Sequence, residues 1–272
     1  MYDKISKDII LCSNTSTTTC VNVHMYTGFG SLLYPNGKKY QGDIKCGKRH
    51  GNGLMTLPNR ITYHGLWIND VRHGIHHVTF PTPKDVQEKW NHGVREWTMI
   101  RYNNGSMYKG DCKEKSIIPH GNGSMTYPDG TLYHGSFYNG SCQGNGSITY
   151  KNGNSFHGLW NHNKEEGEGQ FYFKNGFILK GKWNKGKRMS KATIVSPQND
   201  SMTLSSDWTE ERDGFIYEYG TIEFSSGKTY TGNIRDGLPH GKGTMVYFHG
   251  DVVTTMWNNG RIVHSSTLIE NC

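Results

Sequence analysis

The stretch GNGLMTLPNRITYHGLWINDVRH, residues 51–73, is the unit that this chain repeats. Its centre is the segment Tyr-His-Gly-Leu-Trp at residues 63–67. Comparable five-residue segments begin at Tyr40, Tyr133, Phe156, Leu179 and Tyr230. Self-similarity at a fixed period of this size is typical of a stacked array of small structural units. The chain is therefore predicted to be a tandem repeat.

The last large residue of each copy forms a ladder along the chain. Successive members are 22 to 26 residues apart, and six of the seven tryptophans belong to the ladder. Its members are Ile44, Trp67, Trp90, Cys112, Phe137, Trp160, Trp183, Trp208, Ile234 and Trp257. This spacing predicts ten copies that stay in phase.

The composition agrees with a thin, repetitive core. The 272 residues include 35 glycines but only 33% hydrophobic residues, which is below the usual ~45–50%. Stacked repeats bury their core between neighbours, so fewer apolar residues suffice. The formal net charge of +7 allows an acidic partner or an anionic surface but selects neither.

Each copy combines an alternating strand with a turn. Tyr40, Gly42 and Ile44 share one face of a strand, because side chains alternate with period two. The segment YPNG at residues 34–37 has turn chemistry, since proline presets φ and glycine accepts a positive φ. Two strands that flank such a turn form a β-hairpin. Each repeat is therefore predicted to be one hairpin.

Large residues on one face of these strands are the predicted repeat core. They are Tyr40, Tyr63, Trp67, Trp90, Tyr108, Tyr133, Phe137, Phe156, Trp160, Trp183, Tyr230 and Trp257. The glycine between the two strand aromatics, such as Gly65 between Tyr63 and Trp67, leaves room for a neighbouring ring to lie over the backbone.

The Tyr-x-Gly-x-Trp centre, followed by His-Gly-x-Gly as at residues 50–53, resembles the MORN repeat family over about residues 25–260. The resemblance implies an all-β fold, namely an elongated, single-layer antiparallel sheet of tandem β-hairpins that is solenoid-like. It implies a non-catalytic scaffold or adaptor that binds a protein partner along one face and can tether it to a membrane or the cytoskeleton. Binding of acidic phospholipid headgroups through basic clusters is the alternative function. A homodimer is compatible with the resemblance.

The repeats define the expected domains. These are an N-terminal tail, poorly ordered, at residues 1–24, a main array of about seven repeats at 25–189, two further repeats at 217–263 and a C-terminal tail at 264–272. Residues 190–216 are a degenerate repeat or an insertion. The even spacing of Met202, Leu204 and Trp208 favours a worn repeat. A short helix is the competing interpretation, because Ser206–Arg212 has a cap-like start and early acids.

The third repeat, residues 74–96, departs from the pattern. Val86 stands in place of tyrosine and Glu88 in place of glycine. In the fourth repeat Cys112 replaces the large residue of the ladder. Degeneracy is the favoured interpretation of both departures, and a bend or a partner's landing site is the alternative.

Several function classes are excluded or disfavoured. No apolar run approaches the ~18 residues of a membrane span, and the N-terminal segment is a poor signal peptide. The six cysteines form no CxxC pair, which favours reduced thiols in a cytoplasmic protein. Membrane or cytoskeletal association would be peripheral. No motif for catalysis or for a cofactor is present, so neither is predicted.

The fourteen histidines do not predict a metal site. Most of them recur at two repeat positions, namely His50, His73, His120 and His240, and His64, His134 and His157. Residues one repeat apart are separated by ~10 Å along a sheet, whereas zinc ligands converge to ~2 Å of one point. These histidines are therefore expected to form hydrogen bonds in loops and hairpins.

Basic clusters are the predicted functional surface. The densest is formed by Lys180, Lys182, Lys185, Lys187, Arg188 and Lys191, and a weaker set by Lys38, Lys39, Lys45, Lys48 and Arg49. Near an anionic leaflet each charge can add up to ~1 kcal/mol, so the first cluster is the candidate for binding an acidic surface. A solubilising face is the alternative. The acids between Asp207 and Asp213 are hypothesised to mask the cluster in cis. Nucleic-acid binding is not predicted, because the aromatics are committed to the core.

Overall fold

The structure, a computed structural model, describes residues 10–12, 26–81, 85–113, 116–198, 200–212 and 215–270. These residues contain twenty-two β-strands and no helix. The strands are β1 (Ile10–Cys12), β2 (Gly28–Leu33), β3 (Lys39–Lys45), β4 (Lys48–Thr56), β5 (Thr62–Ile68), β6 (Val71–Thr79), β7 (Asp85–Asn91), β8 (Val94–Arg101), β9 (Met107–Cys112), β10 (Pro119–Thr126), β11 (Leu132–Tyr138), β12 (Ser141–Thr149), β13 (Ser155–Asn161), β14 (Lys164–Tyr172), β15 (Ile178–Asn184), β16 (Lys187–Val195), β17 (Ser201–Arg212), β18 (Phe215–Phe224), β19 (Thr229–Arg235), β20 (Leu238–Val246), β21 (Val252–Asn258) and β22 (Arg261–Glu270).

The chain divides into two compact units, Met1–Pro128 and Asp129–Cys272. In the first, each strand from β1 to β10 pairs antiparallel with the next strand in the chain. In the second, the same holds from β11 to β22. They are called the N-terminal sheet and the C-terminal sheet below. The prediction of an all-β fold of tandem antiparallel hairpins is confirmed.

Two kinds of turn alternate along each sheet. The predicted YPNG turn is closed by hydrogen bonds from the Tyr34 amide to the Lys38 carbonyl and from the Gly37 amide to the Tyr34 carbonyl, both 2.9 Å. The other turn has two residues, both with positive φ, such as 48° at Asn69 and 71° at Asp70. Positive φ at both central residues is the type I′ geometry, whose twist matches that of paired strands.

The two-residue turns also join consecutive hairpins. The amide of Asp70 donates to the carbonyl of Arg49 in the preceding hairpin at 3.0 Å, and the amide of Arg49 donates to Asp70 Oδ1 at 2.9 Å. The Asp236 amide and the Ile216 carbonyl repeat the first bond at 2.9 Å. Neighbouring hairpins are therefore bonded through their turns as well as through their strands.

One face of each sheet, the core face, carries rings that lie on glycine. Tyr40 is fully buried, and a Cβ added to Gly53 on the next strand would lie 2.2 Å from its hydroxyl oxygen. The Tyr40 hydroxyl donates to the Asp43 carbonyl at 2.8 Å, and burial raises the pKa of Tyr40. The Trp67 indole donates to the Gly53 carbonyl at 3.2 Å. This glycine is thus required by the ring above it and by the close approach of the backbone.

Most of the predicted repeat-core residues lie on this face. Those that are buried are Tyr40, Trp67, Tyr108, Tyr133, Phe137, Phe156, Trp160, Trp183, Tyr230 and Trp257. Tyr63 and Trp90 are half-buried. The side chain of Trp208, on the same ladder, lies outside the described residues.

Residues 190–216 form strands. Strand β17 pairs with β18 from Met202 opposite Phe224 to Arg212 opposite Phe215, so the interpretation of Ser206–Arg212 as a short helix is wrong. Alternating residues of β17 continue the core face, where Leu204 is fully buried. Long cross-strand pairing overrides the local capping signal because a helix here would leave β18 without its neighbour.

Two segments expected to be tails contribute strands. Ile10–Cys12 pairs with β2, and β22 extends to Glu270 with Val252 opposite that residue. The backbone of residues 264–270 is therefore part of the C-terminal sheet. Residues 1–9, 13–25 and 271–272 lie outside the described residues.

Candidate functional site

Polar residues interrupt the glycine row on the core face of the N-terminal sheet. Cross-strand pairing gives the row Gly42, Gly53, Gly65, His76, Glu88, Thr98, Gly110 and Gly123. His76 and Thr98 are fully buried and Glu88 is 3% exposed. His76 and Glu88 of the third repeat, and Thr98 directly after it, thus replace glycines with buried polar side chains.

Two arginines neutralise the buried carboxylate of this row. Arg95 Nη1 lies 3.1 Å from Glu88 Oε1 and Arg72 Nη1 lies 3.4 Å from Glu88 Oε2. The Trp90 indole donates to Glu88 Oε2 at 3.0 Å, and the Arg72 guanidinium lies 3.9 Å from the centre of the Trp90 ring. A buried charge is tolerated only when it is paired and hydrogen-bonded in this way.

His76 is held neutral in the same row. Its Nε2 lies 2.9 Å from the Leu66 carbonyl oxygen, and its ring contacts the Trp67 ring edge-on at 5.3 Å. Burial lowers the pKa of His76 to about 4, with a smaller contribution in the same direction from Arg72. The neutral imidazole therefore acts here as a core residue.

Large apolar residues cover the opposite face of the same strands. Ile75 on β6 is 51% exposed and Leu66 on β5 is 36% exposed. Trp97 and Met99 on β8 are half-buried. Ile75 and Trp97 both lie opposite Lys89 of the strand between them. These four residues, Leu66, Ile75, Trp97 and Met99, are called the apolar patch below. The opposite face of each sheet is called the exposed face.

The predicted basic cluster lies on the C-terminal sheet. Five of its residues are exposed, namely Lys180 and Lys182 on β15, Lys185 in the following turn, and Lys187 and Lys191 on β16. These five residues are called the lysine surface. Lys180, Lys182 and Lys191, together with Thr193 and Thr203, line a shallow depression of about 430 Å³. Glu168 borders it, with its Oε1 3.2 Å from Lys182 Nζ.

Arg188 does not belong to this surface, so that part of the prediction is wrong. Arg188 lies opposite Trp183 on the core face, because side chains alternate along β16. Its Nη2 lies 2.8 Å from Glu218 Oε1, with side-chain exposures of 6% and 3%. It also donates to the Ser206 hydroxyl. Burial raises the pKa of Glu218, and the positive charge of Arg188 opposes this shift.

The weaker basic set divides in the same way. Arg49 is buried and its Nε lies 3.1 Å from Asp70 Oδ1, with the guanidinium 4.5 Å from the centre of the Trp67 ring. Lys39, Lys45 and Lys48 are exposed and Lys38 is half-buried. The arginine that follows a two-residue turn is thus a core residue in both sheets, whereas Lys39, Lys45 and Lys48 remain on the surface.

The remaining predicted features do not converge on a chemical centre. His64, His134 and His157 are exposed, and His50, His73, His120 and His240 are half-buried. Within the described part of the chain, no group of three or more His, Cys, Asp or Glu residues is arranged to hold a metal ion. Cys46, Cys112 and Cys142 are free thiols. In the same residues, no helix is long and apolar enough to span a bilayer.

The hypothesis of cis masking stays a prediction. Asp213 and the side chains of Asp207, Glu210 and Glu211 lie outside the described residues. The backbone of residues 207–212 continues β17.

The family model of the MORN repeat matches six segments of the chain. They are residues 40–61, 63–75, 117–132, 133–155, 156–177 and 230–252. The chain carries MORN repeats. The MORN matches leave out residues 76–116, where the polar residues interrupt the glycine row, and residues 178–229, which contain the lysine surface. MORN repeats often mediate binding.

Other comparisons add distant structural likenesses. No curated protein sequence matches the chain. The TCP10 domain of Danio rerio CPAP is 13% identical, with coverage of 85% of this chain and 96% of that domain and a TM-score of 0.30. The TCP domain of Drosophila melanogaster SAS-4, in complex with a proline-rich motif of Ana2, is 14% identical, with 66% and 90% covered and a TM-score of 0.32.

Proposed function

We propose that this chain is a non-enzymatic MORN-repeat scaffold that binds a protein partner along the exposed face of its sheets. The observation that supports the proposal is the different residue composition of the two faces. The core face is filled by rings, glycines and buried ion pairs, whereas the exposed face presents large apolar side chains such as Ile75 and Leu159, 51% and 44% exposed. Contiguous groups of such side chains, such as the apolar patch, are typical of interaction sites.

Proximity labelling in the native cell, followed by reconstitution with purified candidates, tests the proposal. A true partner binds the purified full chain, and the apolar part of its affinity persists from low to high salt, because apolar contacts are insensitive to screening. Paired substitutions on the exposed face should weaken binding while the melting temperature is unchanged. Candidates that bind every exposed-face variant as well as the wild type would contradict the proposal.

A second candidate function is binding of acidic phospholipid headgroups. It is favoured by the lysine surface, where Lys180 and Lys191 flank a depression that also offers the Thr193 and Thr203 hydroxyls. Ammonium groups and hydroxyls are suitable donors to phosphate oxygens. Such a contact would hold the scaffold at an anionic leaflet.

Liposome co-sedimentation tests the second candidate. Vesicles that contain phosphatidylserine should bind the full chain at low salt and release it as salt rises. Reversal of Lys180, Lys182 and Lys191 to glutamate should abolish binding, whereas reversal of Lys39, Lys45 and Lys48 serves as a matched control. Wild-type protein that ignores these vesicles at low ionic strength would end the lipid hypothesis and leave the protein scaffold standing.

A further inference from the structure

The apolar patch breaks a rule that most hairpins follow. The residue before the last position of the His-Gly-x-Gly motif, a position that is Ala192 in place of glycine in one hairpin, lies on the exposed face. It is polar in six hairpins. These residues are Asn52, Asn122, Asn145, Glu168, Lys191 and Lys242. At the same position β6 carries Ile75 and β8 carries Trp97, on either side of a single strand.

Other large residues at this position do not form such a pair across one strand. Phe29 lies opposite Asp43, and Tyr219 lies between Asn233 of β19 and Trp208 of β17. Ile75, by contrast, adjoins Leu66 of β5 where the register shifts. The patch is therefore a cluster built by consecutive strands.

The core face of these strands is packed without these side chains. On the core face of the same strands, His76 and Glu88 are already buried and hydrogen-bonded, so the core is complete without Ile75. Asparagine at the same position in three regular hairpins forms the same strand geometry. A contiguous group of large apolar residues, at a position where the fold accepts asparagine, points to contact with another molecule.

Charges beside the patch indicate the chemistry of that molecule. The Lys109 ammonium lies 4.9 Å from the centre of the Trp97 ring. Lys89, between Ile75 and Trp97, is paired with Glu96 at 2.9 Å. Lys109 has no carboxylate partner among the described residues, so its charge remains available to a ligand.

The spacing across the strands fits one inserted side chain. Ile75 and Trp97 are two strand spacings apart, which is about 9.5 Å. Each side chain stands on the exposed face, so the space between them lies over the stem of Lys89. A leucine- or phenylalanine-sized side chain would contact both walls, and a carboxylate beside it would meet Lys109.

We propose that the apolar patch binds a short protein segment with a large apolar side chain next to an aspartate or glutamate. The inference rests on the proposed scaffold function and gives it a site and a ligand class. Trp97 supplies the anchor surface, since tryptophan is enriched among residues that dominate binding energy. Lys109 supplies the charge that selects an acidic segment.

Selection from a displayed random-peptide library on the full-length chain tests the proposal. The informative variant is Ile75→Asn with Trp97→Asn, because asparagine is the residue of the regular hairpins. The matched control is Leu159→Asn with Met256→Asn, which removes two exposed apolar residues from the C-terminal sheet, 44% and 54% exposed. Unchanged melting temperatures establish that both variants fold.

Peptides enriched on the wild type should contain a large apolar residue beside Asp or Glu. They should bind the patch variant at least about tenfold more weakly, as expected for loss of a hot spot, and bind the control variant unchanged. Lys109→Gln should weaken the same peptides about threefold to tenfold, and that loss should shrink at high salt.

Three outcomes overturn the inference. One is that the wild type enriches no peptide. Another is that the enriched peptides bind the patch variant as well as the wild type but lose affinity for the control variant, which leaves the scaffold function intact at another site. The third is enrichment of basic peptides. If a partner from the native cell also binds neither sheet in reconstitution, the scaffold function falls as well.

Discussion

A regular hairpin and the third repeat solve the same packing problem with different residues. In the C-terminal sheet the Tyr133 ring is fully buried and lies against Gly146, thirteen residues further on. In the N-terminal sheet the residue thirteen positions after Tyr63 is His76, and Tyr63 is only half-buried. The ring and the residue at the glycine position therefore fill one shared volume. A larger residue at the glycine position leaves less room for the ring.

A smaller residue at the ring position is likewise accompanied by a larger residue at the glycine position. Where the ring is reduced to Val86, the glycine row carries Thr98, and where it is reduced to Leu179, the residue thirteen positions on is Ala192. Interiors are close-packed, so conserving the total volume preserves the fold. The difference teaches that the repeat is defined by this shared volume more than by any single residue.

The largest expected effect is the loss of stability when the tryptophan of a regular hairpin is replaced, compared with the tryptophan of the third repeat. Trp160 is 5% exposed and contacts the rings of Tyr133 and Phe156 at 5.1 and 5.7 Å. Trp160→Ala should cost about 3–5 kcal/mol of the free energy of unfolding. Trp90 is half-buried beside Arg72, so Trp90→Ala should lower the free energy of unfolding by less.

Hydrogen exchange checks this comparison. In Trp160→Ala the amides of β11–β16 should lose protection before those of β19–β21, because each repeat contacts mainly its neighbours. Equal loss of protection throughout the C-terminal sheet would contradict a repeat-by-repeat architecture. Trp90→Ala should leave the C-terminal sheet unchanged.

The second prediction uses the pH dependence that the buried His76 gives to the third repeat. His76 has a pKa of about 4 in the folded chain, against about 6.5 when unfolded. Between these values the unfolded state binds more protons, so stability present above pH 6.5 is lost as pH falls towards about 4. The loss should reach about 3 kcal/mol.

Denaturant unfolding at pH 7 and pH 4 measures that loss. Carboxylates also titrate in this range, so the informative quantity is the difference between the wild type and His76→Gln. In His76→Gln, the free energy of unfolding should fall by about 3 kcal/mol less between pH 7 and pH 4 than it does in the wild type. His134→Gln, at an exposed histidine of the C-terminal sheet, is the control and should retain the wild-type dependence of stability on pH.

The repeat fold was readable from the sequence because its signals agree. Alternation, turn chemistry and the tryptophan ladder all predicted tandem hairpins. The type I′ turns were missed although Asn139-Gly140 and Asn259-Gly260 carry a strong hairpin signal. Those dipeptides follow the five-residue centre of the repeat, and the periodicity was built on that centre alone.

The candidate sites were less readable, since side-chain direction depends on register. Six basic residues within twelve positions predicted one cluster, but a register shift between Gly181 and Trp183 and strand alternation send Arg188 to the core face. The apolar patch joins Ile75 and Trp97, which are far apart in the sequence but both lie opposite Lys89. Comparing repeats position by position would have exposed it.

The third prediction tests the shared volume directly. A Cβ added to Gly146 would lie 2.3 Å from the Tyr133 hydroxyl oxygen, so Gly146→Ala should cost about 1–3 kcal/mol through overpacking. Tyr133→Leu in the same chain should recover part of this loss, because it recreates the pair formed by Leu179 and Ala192. Thermal unfolding of both single variants and the double variant gives the coupling free energy.

Gly181→Ala is the matched control for that cycle. Its new Cβ would lie 3.3 Å from the Ala192 Cβ and 3.7 Å from Leu179, which the neighbours can accommodate with small shifts. A loss equal to that of Gly146→Ala would mean that glycine is needed for its backbone freedom. The shared-volume explanation would then be wrong.

The smallest expected effect lies on the exposed face. Lys182 and Glu168 form an ion pair at 3.2 Å, but their side chains are 65% and 72% exposed. Exposed pairs contribute about 0–1 kcal/mol because water and salt screen the charges. Lys182→Gln should therefore leave the melting temperature nearly unchanged, and added salt should not alter that result. A loss well above about 1 kcal/mol would show that the lysine surface supports the fold, and its lysines could then no longer be substituted to test lipid binding without disturbing the sheet. A stable variant with weakened vesicle binding would instead separate the two faces of β15, with folding assigned to one and recognition to the other.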